Sequence, residues 1–187
     1  MNVQAHSQMD KSAFLAWAQE QEGRFELVER RVVMMTGGSK WHALVASNLA
    51  RELWARLDLE KWIVLGSDLA VDVGPGSLRY PDVIVDSIGG PGGELTATAP
   101  VLIAEVVSPS SATLDLGDKA AEYLCLDSLA AYLVLAQDEP KAWLWVRGPN
   151  GFPPGPNVLA GPGTVIRVAS LGLDLPLSRI YLGVSPS

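Results

Sequence analysis

The chain has 187 residues, 48% of them apolar, with 14 Lys+Arg against 21 Asp+Glu for a net charge of -7. That length suits one domain with a real core, the apolar fraction excludes a disordered polymer, and no apolar run reaches the ~20 residues of a membrane-spanning helix. A single cysteine, Cys125, excludes a disulfide framework and a cysteine-rich zinc site, and the polar stretch Met1 to Asp10 lacks a leader pattern, so a cytoplasmic protein is expected.

The first predicted helix runs from Lys11 to about Glu22, with Asp10 as N-cap, Phe14, Trp17 and Ala18 on one face, and Gly23 as the stop. Arg24 to Glu29 and Arg31 to Thr36 are spaced to pair as a hairpin. Ser39 then caps a second helix with His42, Val45, Leu49 and Leu53 in one stripe and Arg51, Glu52 and Arg56 largely off it. Strands follow at Trp62 to Leu65, Leu69 to Val73 and Leu78 to Val85, the last two separated by the turn Gly74-Pro75-Gly76-Ser77.

Ile88 to Pro100 reads as a surface loop. Val101 to Val107 is an almost unbroken apolar run, as in a strand buried on both faces, and Glu105 is its one charge. A third helix is expected from Ser110 or Ser111 to about Leu126, weakened at Gly117, with Lys119 and Tyr123 on one face. Strands at Ala131 to Ala136 and Lys141 to Arg147 come next, the second alternating Trp143 and Trp145 against Ala142, Leu144 and Val146. A Gly/Pro-rich stretch, 148–163, precedes a short strand at Thr164 to Val168 and a terminal segment around Ile180 to Val184. The pattern implies an α/β or α+β chain with a mixed central sheet, a single domain over 1–187 with a short C-terminal extension.

Three ionisable groups stand where a core strand or amphipathic helix prefers apolar ones: Asp82, after Tyr80-Pro81 and before Val83-Ile84-Val85; Glu105; and Lys119 on the helix that follows. Buried carboxylates cost several kcal/mol unless paired, hydrogen-bonded or bound to a metal, so two on adjacent strands call for a cation. Two carboxylates and a lysine suit phosphodiester hydrolysis: the acids hold Mg²⁺ or Mn²⁺, and the lysine orients water or neutralises developing charge.

At these residues the chain resembles a known family. Pro81-Asp82 followed by Glu105 is similar to the PD-(D/E)XK nuclease signature, and the wider chain, from about Phe14 to Arg147, resembles the Uma-two family of restriction-endonuclease-like proteins. Supporting stretches are Phe25-Glu26-Leu27-Val28-Glu29, Ser39 to His42, Tyr80-Pro81-Asp82-Val83, Glu105-Val106-Val107-Ser108-Pro109-Ser110, Asp115 with Lys119 and Tyr123, and Tyr132-Leu133-Val134-Leu135. The resemblance implies a restriction-endonuclease-like core with flanking helices, and Asp82 and Glu105 as ligands of Mg²⁺, or Mn²⁺. Val107 stands where the motif's lysine is expected, which nominates Lys119 on the next helix. Glu26 and His42 match further polar positions, Glu29 matches an acidic position before the hairpin turn, and Arg30 stands where the family usually has glycine.

Plainer readings accompany these. His42 fits a first-turn or packing role, Glu26 and Glu29 fit hairpin charges, Cys125 fits a small buried residue, and the tryptophans fit core or interface. The expected function is a metal-dependent DNA endonuclease working as a homodimer, each copy cutting one strand. The alternative is a catalytically silent nuclease-fold module for nucleic-acid binding or assembly. A net charge of -7 and the absence of a basic, aromatic-interleaved stretch favour that alternative, and they predict weak DNA binding without metal.

Overall fold

The computed structural model describes residues 8–90, 92–109 and 111–185; the readings of 1–7 and of Ser110 as a helix start lie outside the described residues. Helix α1 (Lys11–Ala18) starts at Asp10, whose side chain accepts the Ala13 N–H, and it ends before the expected Glu22 as the chain turns toward Gly23. Strands β1 (Phe25–Val28) and β2 (Arg31–Met34) form the expected hairpin with Val28 opposite Arg31. Its two-residue turn holds Glu29 at φ 48° and Arg30 at φ 66°, a left-handed conformation that favours Asn-Gly. The neighbouring turn compensates. Arg30 N donates to the Gly76 carbonyl at 2.7 Å, and Glu29 N to Ser77 Oγ at 3.0 Å.

Helix α2 (Lys40–Trp54) is capped by Ser39 and buries Val45, Leu49 and Leu53. Glu52, expected off the apolar stripe, is buried at 2% exposure because Arg51, Arg56 and Arg179 surround it. Next come β3 (Trp62–Gly66) and the short β4 (Val71–Asp72). The expected strand Leu78 to Val85 is two strands, β5 (Leu78–Arg79) and β6 (Val83–Ser87), which join different sheets. Pro81 lies at the break, where the chain leaves one ladder for the other; proline has no N–H to give either.

Strand β7 (Leu102–Val107) is buried at every position. The single helix expected after it is two, α3 (Ala112–Leu116) and α4 (Asp118–Tyr123). They part at Gly117, where a side chain would place its Cβ 2.9 Å from the Thr113 carbonyl. Strands β8 (Ala131–Ala136) and β9 (Lys141–Val146) follow as expected. Two strands went unread, β10 (Asn157–Ala160) in the Gly/Pro-rich stretch and β12 (Leu173–Pro176), which pairs with β11 (Val165–Val168); a short α5 (Leu177–Ile180) follows.

The result is a mixed α+β architecture. A six-stranded sheet has the order β10-β9-β8-β7-β6-β3, a four-stranded sheet the order β2-β1-β5-β4, and β11-β12 form a ribbon. Only the central β7-β8 pair of the six-stranded sheet is parallel, because α3 and α4 supply the crossover that parallel strands need. The pleat sorts β7: Leu102, Ala104 and Val106 pack with α2, while Ile103 and Val107 pack with Ala120 and Tyr123 of α4. Glu105 shares that second face. Trp145 lies at 3% exposure and stacks on Tyr132, whereas Trp54 is exposed, so the tryptophans do not all reach the core.

Candidate active site

The β6-β7 register pairs Val83 with Ala104 and Ile84 with Ile103, so its extension by one step sets Asp82 opposite Glu105. The Asp82 side chain closes that end of the ladder, its Oδ2 accepting the Val106 N–H at 2.8 Å. The same oxygen lies 3.0 Å from Nε2 of His42. Ser39 aims that ring, since its Oγ accepts the His42 N–H at 3.2 Å and so fixes the first turn of α2 beside the strand ends. The hydrogen bond to Asp82 raises the His42 pKa, partial burial opposes it, and the charges of Asp82 and Glu105 add to the rise.

Glu105 is 4% exposed, and its Oε1 accepts from Lys119 Nζ at 3.0 Å and from the Tyr123 hydroxyl at 3.0 Å. Both donors lie on one face of α4 because they are four residues apart. One turn upstream, Asp115 Oδ1 sits 3.1 Å from the same ammonium, and Glu26 of β1 approaches to 3.9 Å. Burial pushes the Glu105 carboxyl up to about 8; Lys119 opposes the shift, and the nearby charges of Asp82 and Asp115 reinforce it. Burial works against the Lys119 charge, yet Glu105, Glu26 and Asp115 outweigh it and its pKa is raised. The lysine therefore stays protonated at neutral pH.

Behind this group lies an ion pair network that sequence reasoning missed. Arg79, at 3% exposure, donates from Nη1 to Glu26 at 3.0 Å and from Nε to Glu122 at 2.6 Å. It ties the small sheet to α4. Glu26 also accepts the Tyr80 N–H at 3.2 Å, so it anchors the strand break that presents Asp82. One signal for Arg79 was available, a charge beside the buried Leu78 directly ahead of Tyr80-Pro81-Asp82. Of the nominated residues, Asp82, Glu105, Lys119, Glu26 and His42 converge. Glu29 does not, being exposed at the hairpin tip and held by Ser77. Cys125 is exposed in the turn after α4, contrary to the buried position expected, because that helix ends at Tyr123.

A cleft of about 420 Å³ opens onto these groups, with Met34, Met35, Gly37, Gly38 and Leu114 at its sides. Among the described residues, no three His, Cys, Asp or Glu side chains are grouped to hold a metal ion by themselves. Two carboxylates nevertheless offer oxygens to the cleft: Asp82 Oδ1 and Glu105 Oε2 accept no hydrogen bond among the described residues. That donor set fits Mg²⁺, which takes one or two carboxylates and completes its shell with water and substrate phosphate. It does not form a closed protein cage.

A family model described as Uma2, putative restriction endonuclease, matches residues 12–178. The chain is 27% identical over 176 residues to the uncharacterized protein slr1290 of Synechocystis, covering 92% of this chain and 90% of that protein. It is 28% identical over 116 residues to a second uncharacterized Synechocystis protein, sll1609, covering 60% of this chain and 66% of the other. In fold it is similar to the crystal structure of a putative nuclease belonging to DUF820 from Anabaena variabilis, with a TM-score of 0.73, 16% identity, and coverage of 91% of this chain and 96% of that one. No described helix is long and apolar enough to cross a membrane.

Proposed function

The chain belongs to the Uma2 family of putative restriction endonucleases, and from that premise we propose that it is a divalent-metal-dependent endonuclease hydrolysing DNA phosphodiester bonds. The observation that supports this most is Lys119 Nζ 3.0 Å from Glu105 Oε1, in a cleft that Asp82 also lines. Asp82 and Glu105 would hold Mg²⁺ or Mn²⁺. When bound there, the ion supplies Lewis acidity toward a phosphoryl oxygen and lowers the pKa of its water.

The chain's own groups have separable roles. Asp82 is oriented by the Val106 N–H and by His42, so one of its oxygens stays directed to the cleft. Glu105 must give up its proton to act as a ligand, and Lys119 favours that ionised form. Because Lys119 stays protonated, its role is to neutralise charge developing on the phosphate or to orient water by donating a hydrogen bond, not to abstract a proton. Glu26 and Arg79 position Lys119 and the Asp82 strand break.

Purified protein is expected to nick plasmid only with Mg²⁺ or Mn²⁺, and Asp82→Ala to abolish nicking; equal cleavage by the variant would reject the assignment. The reading extends to a cytoplasmic homodimer in which each copy cuts one strand. One observation favours a second reading, a nuclease-fold module without turnover: the Lys119 ammonium lies 3.0 Å from Glu105 and 3.1 Å from Asp115, so a protein cation compensates the buried carboxylates. Calorimetric titration with Mg²⁺ separates the two, since the silent module takes up no metal.

A further inference from the structure

A second cavity, of about 210 Å³, adjoins the carboxylate cleft, and the two share Arg24, Met35 and Tyr80. Tyr80 stands two residues before Asp82, so their Cα atoms are no more than about 7 Å apart. A group seated against Tyr80 is therefore close to any phosphate held at Asp82.

The lining mixes aromatic and polar chemistry. Phe25 and Tyr80 supply aromatic surface, and Phe25 is braced by an edge-on contact with Trp17, ring centroids 4.9 Å apart at 65°. Leu15 and Ala18 of α1 add apolar area. Around them stand donors and acceptors of both kinds: the Gln19 amide, the Arg24 guanidinium, which donates to the Ser67 carbonyl at 2.6 Å, and the Asp68 carboxylate. A phosphate has no use for aromatic walls and is repelled by Asp68. An acyl chain leaves the polar groups without partners. A flat heteroaromatic ring uses both, stacking on the aromatic surface and pairing its polar edge with the rim.

We propose that this cavity receives one unstacked nucleobase of the strand whose phosphate lies in the adjoining cleft. It follows that the preferred substrate class is DNA with an unpaired base beside the cut, as in single strands, mismatches and branches; intact duplex is cut more slowly because a base must first leave the stack. The inference rests on the nuclease reading of the cleft and adds a substrate class to it.

The test measures binding of the full-length protein to a short single strand in Ca²⁺, which suppresses cleavage, and cleavage of the same strand in Mg²⁺. Each strand is compared with versions carrying an abasic site at successive positions. For the wild type, an abasic site at one register weakens binding about tenfold, the loss of one base–aromatic stack. Ala18→Phe, which fills the cavity, shows the same loss with the intact strand and none further with the abasic one. Should Ala18→Phe fail to fold, Gln19→Ala at an exposed position and the abasic series on wild-type protein carry the same test. If wild-type protein cleaves the strand but binds intact and abasic versions equally, the base-pocket inference is overturned and the nuclease reading stands. Abasic discrimination by a protein that cleaves equally well after Asp82→Ala would keep the pocket and remove the nuclease assignment. A wild-type protein that binds no strand, intact or abasic, overturns the base-pocket inference, while the nuclease reading is decided by plasmid nicking with and without Asp82→Ala.

Discussion

Lys119 and Glu105 form a buried pair, ammonium to carboxylate oxygen 3.0 Å, on a strand and a helix that the parallel crossover brings together. At 8% and 4% exposure both groups are largely withdrawn from bulk water, so each is the other's main partner.

Lys119→Met should therefore be costly without metal. Removing one member of a buried ion pair typically costs about 3–5 kcal/mol, and the low end applies here because Glu105 can take up a proton. Added Mg²⁺ should recover part of the loss by supplying the missing positive charge, while cleavage stays at least about a hundredfold down. Urea unfolding with and without Mg²⁺ checks the first part and plasmid nicking the second. A variant as stable as wild type in EDTA would contradict the pairing.

Arg79→Met strands two carboxylates, Glu26 and Glu122, of which Glu26 is buried. A loss of about 3 kcal/mol is expected. The double variant Arg79→Met with Glu26→Gln should regain a third or more of it, because the uncompensated buried charge is gone. Denaturation midpoints of the single and double variants report the coupling, and simple additivity would show that the pair does not interact.

Glu52 predicts a pH dependence far from the cleft. Burial alone would raise its pKa, but hydrogen bonds and charges from Arg51, Arg56 and Arg179 hold it below the ordinary 4.5. A depressed folded pKa contributes stability above the unfolded value, and that stability is lost as pH falls through the folded one. Glu52→Gln should accordingly destabilise at neutral pH by about 1 kcal/mol, a modest figure because two of the three guanidiniums are half exposed and screened. The gap to wild type should close as pH falls below the ordinary 4.5 and through the lowered folded value. A gap that grows on acidification would be inconsistent with this sign.

Arg30→Gly should stabilise the hairpin. At φ 66° a residue with a Cβ is strained, and glycine relieves about 1 kcal/mol of that while giving back part through a more flexible unfolded chain. The net gain, about 0.5 kcal/mol, corresponds to a rise of about 1–2 °C in Tm. A lower Tm would mean that the Arg30 stem packed over Gly76 outweighs the strain.

Much of this was legible along the chain. Ser39 and Asp10 announced their helices, the run into Val107 announced a buried strand, and the Trp143 and Trp145 alternation placed β9 correctly. The errors share a cause. The segment Leu78 to Val85 has the length of one strand between the Gly74-Pro75-Gly76-Ser77 turn and the following loop, and the competition of two ladders across Pro81 divides it. Strands β10 and β12 are short, and β10 lies on a sheet edge with mostly exposed residues, so no clean alternation marks it.

Asp82 and Glu105 could be picked out from sequence because each interrupts an apolar strand segment, and a buried carboxylate costs energy unless it is compensated, whereas Lys119 was nominated by the family resemblance. That cost is local and needs no knowledge of neighbours. Which groups relieve it is not local. Arg79 reaches Glu26 from 53 residues away and Glu122 from 43, and His42 meets Asp82 from another helix. Charge pairing depends on distance in space, and the sheet register and the α3-α4 crossover set those distances. The net charge of -7 belongs to the sequence, but the burial of Glu26, Glu52, Glu105 and Asp115 among cations was decided by the tertiary structure alone.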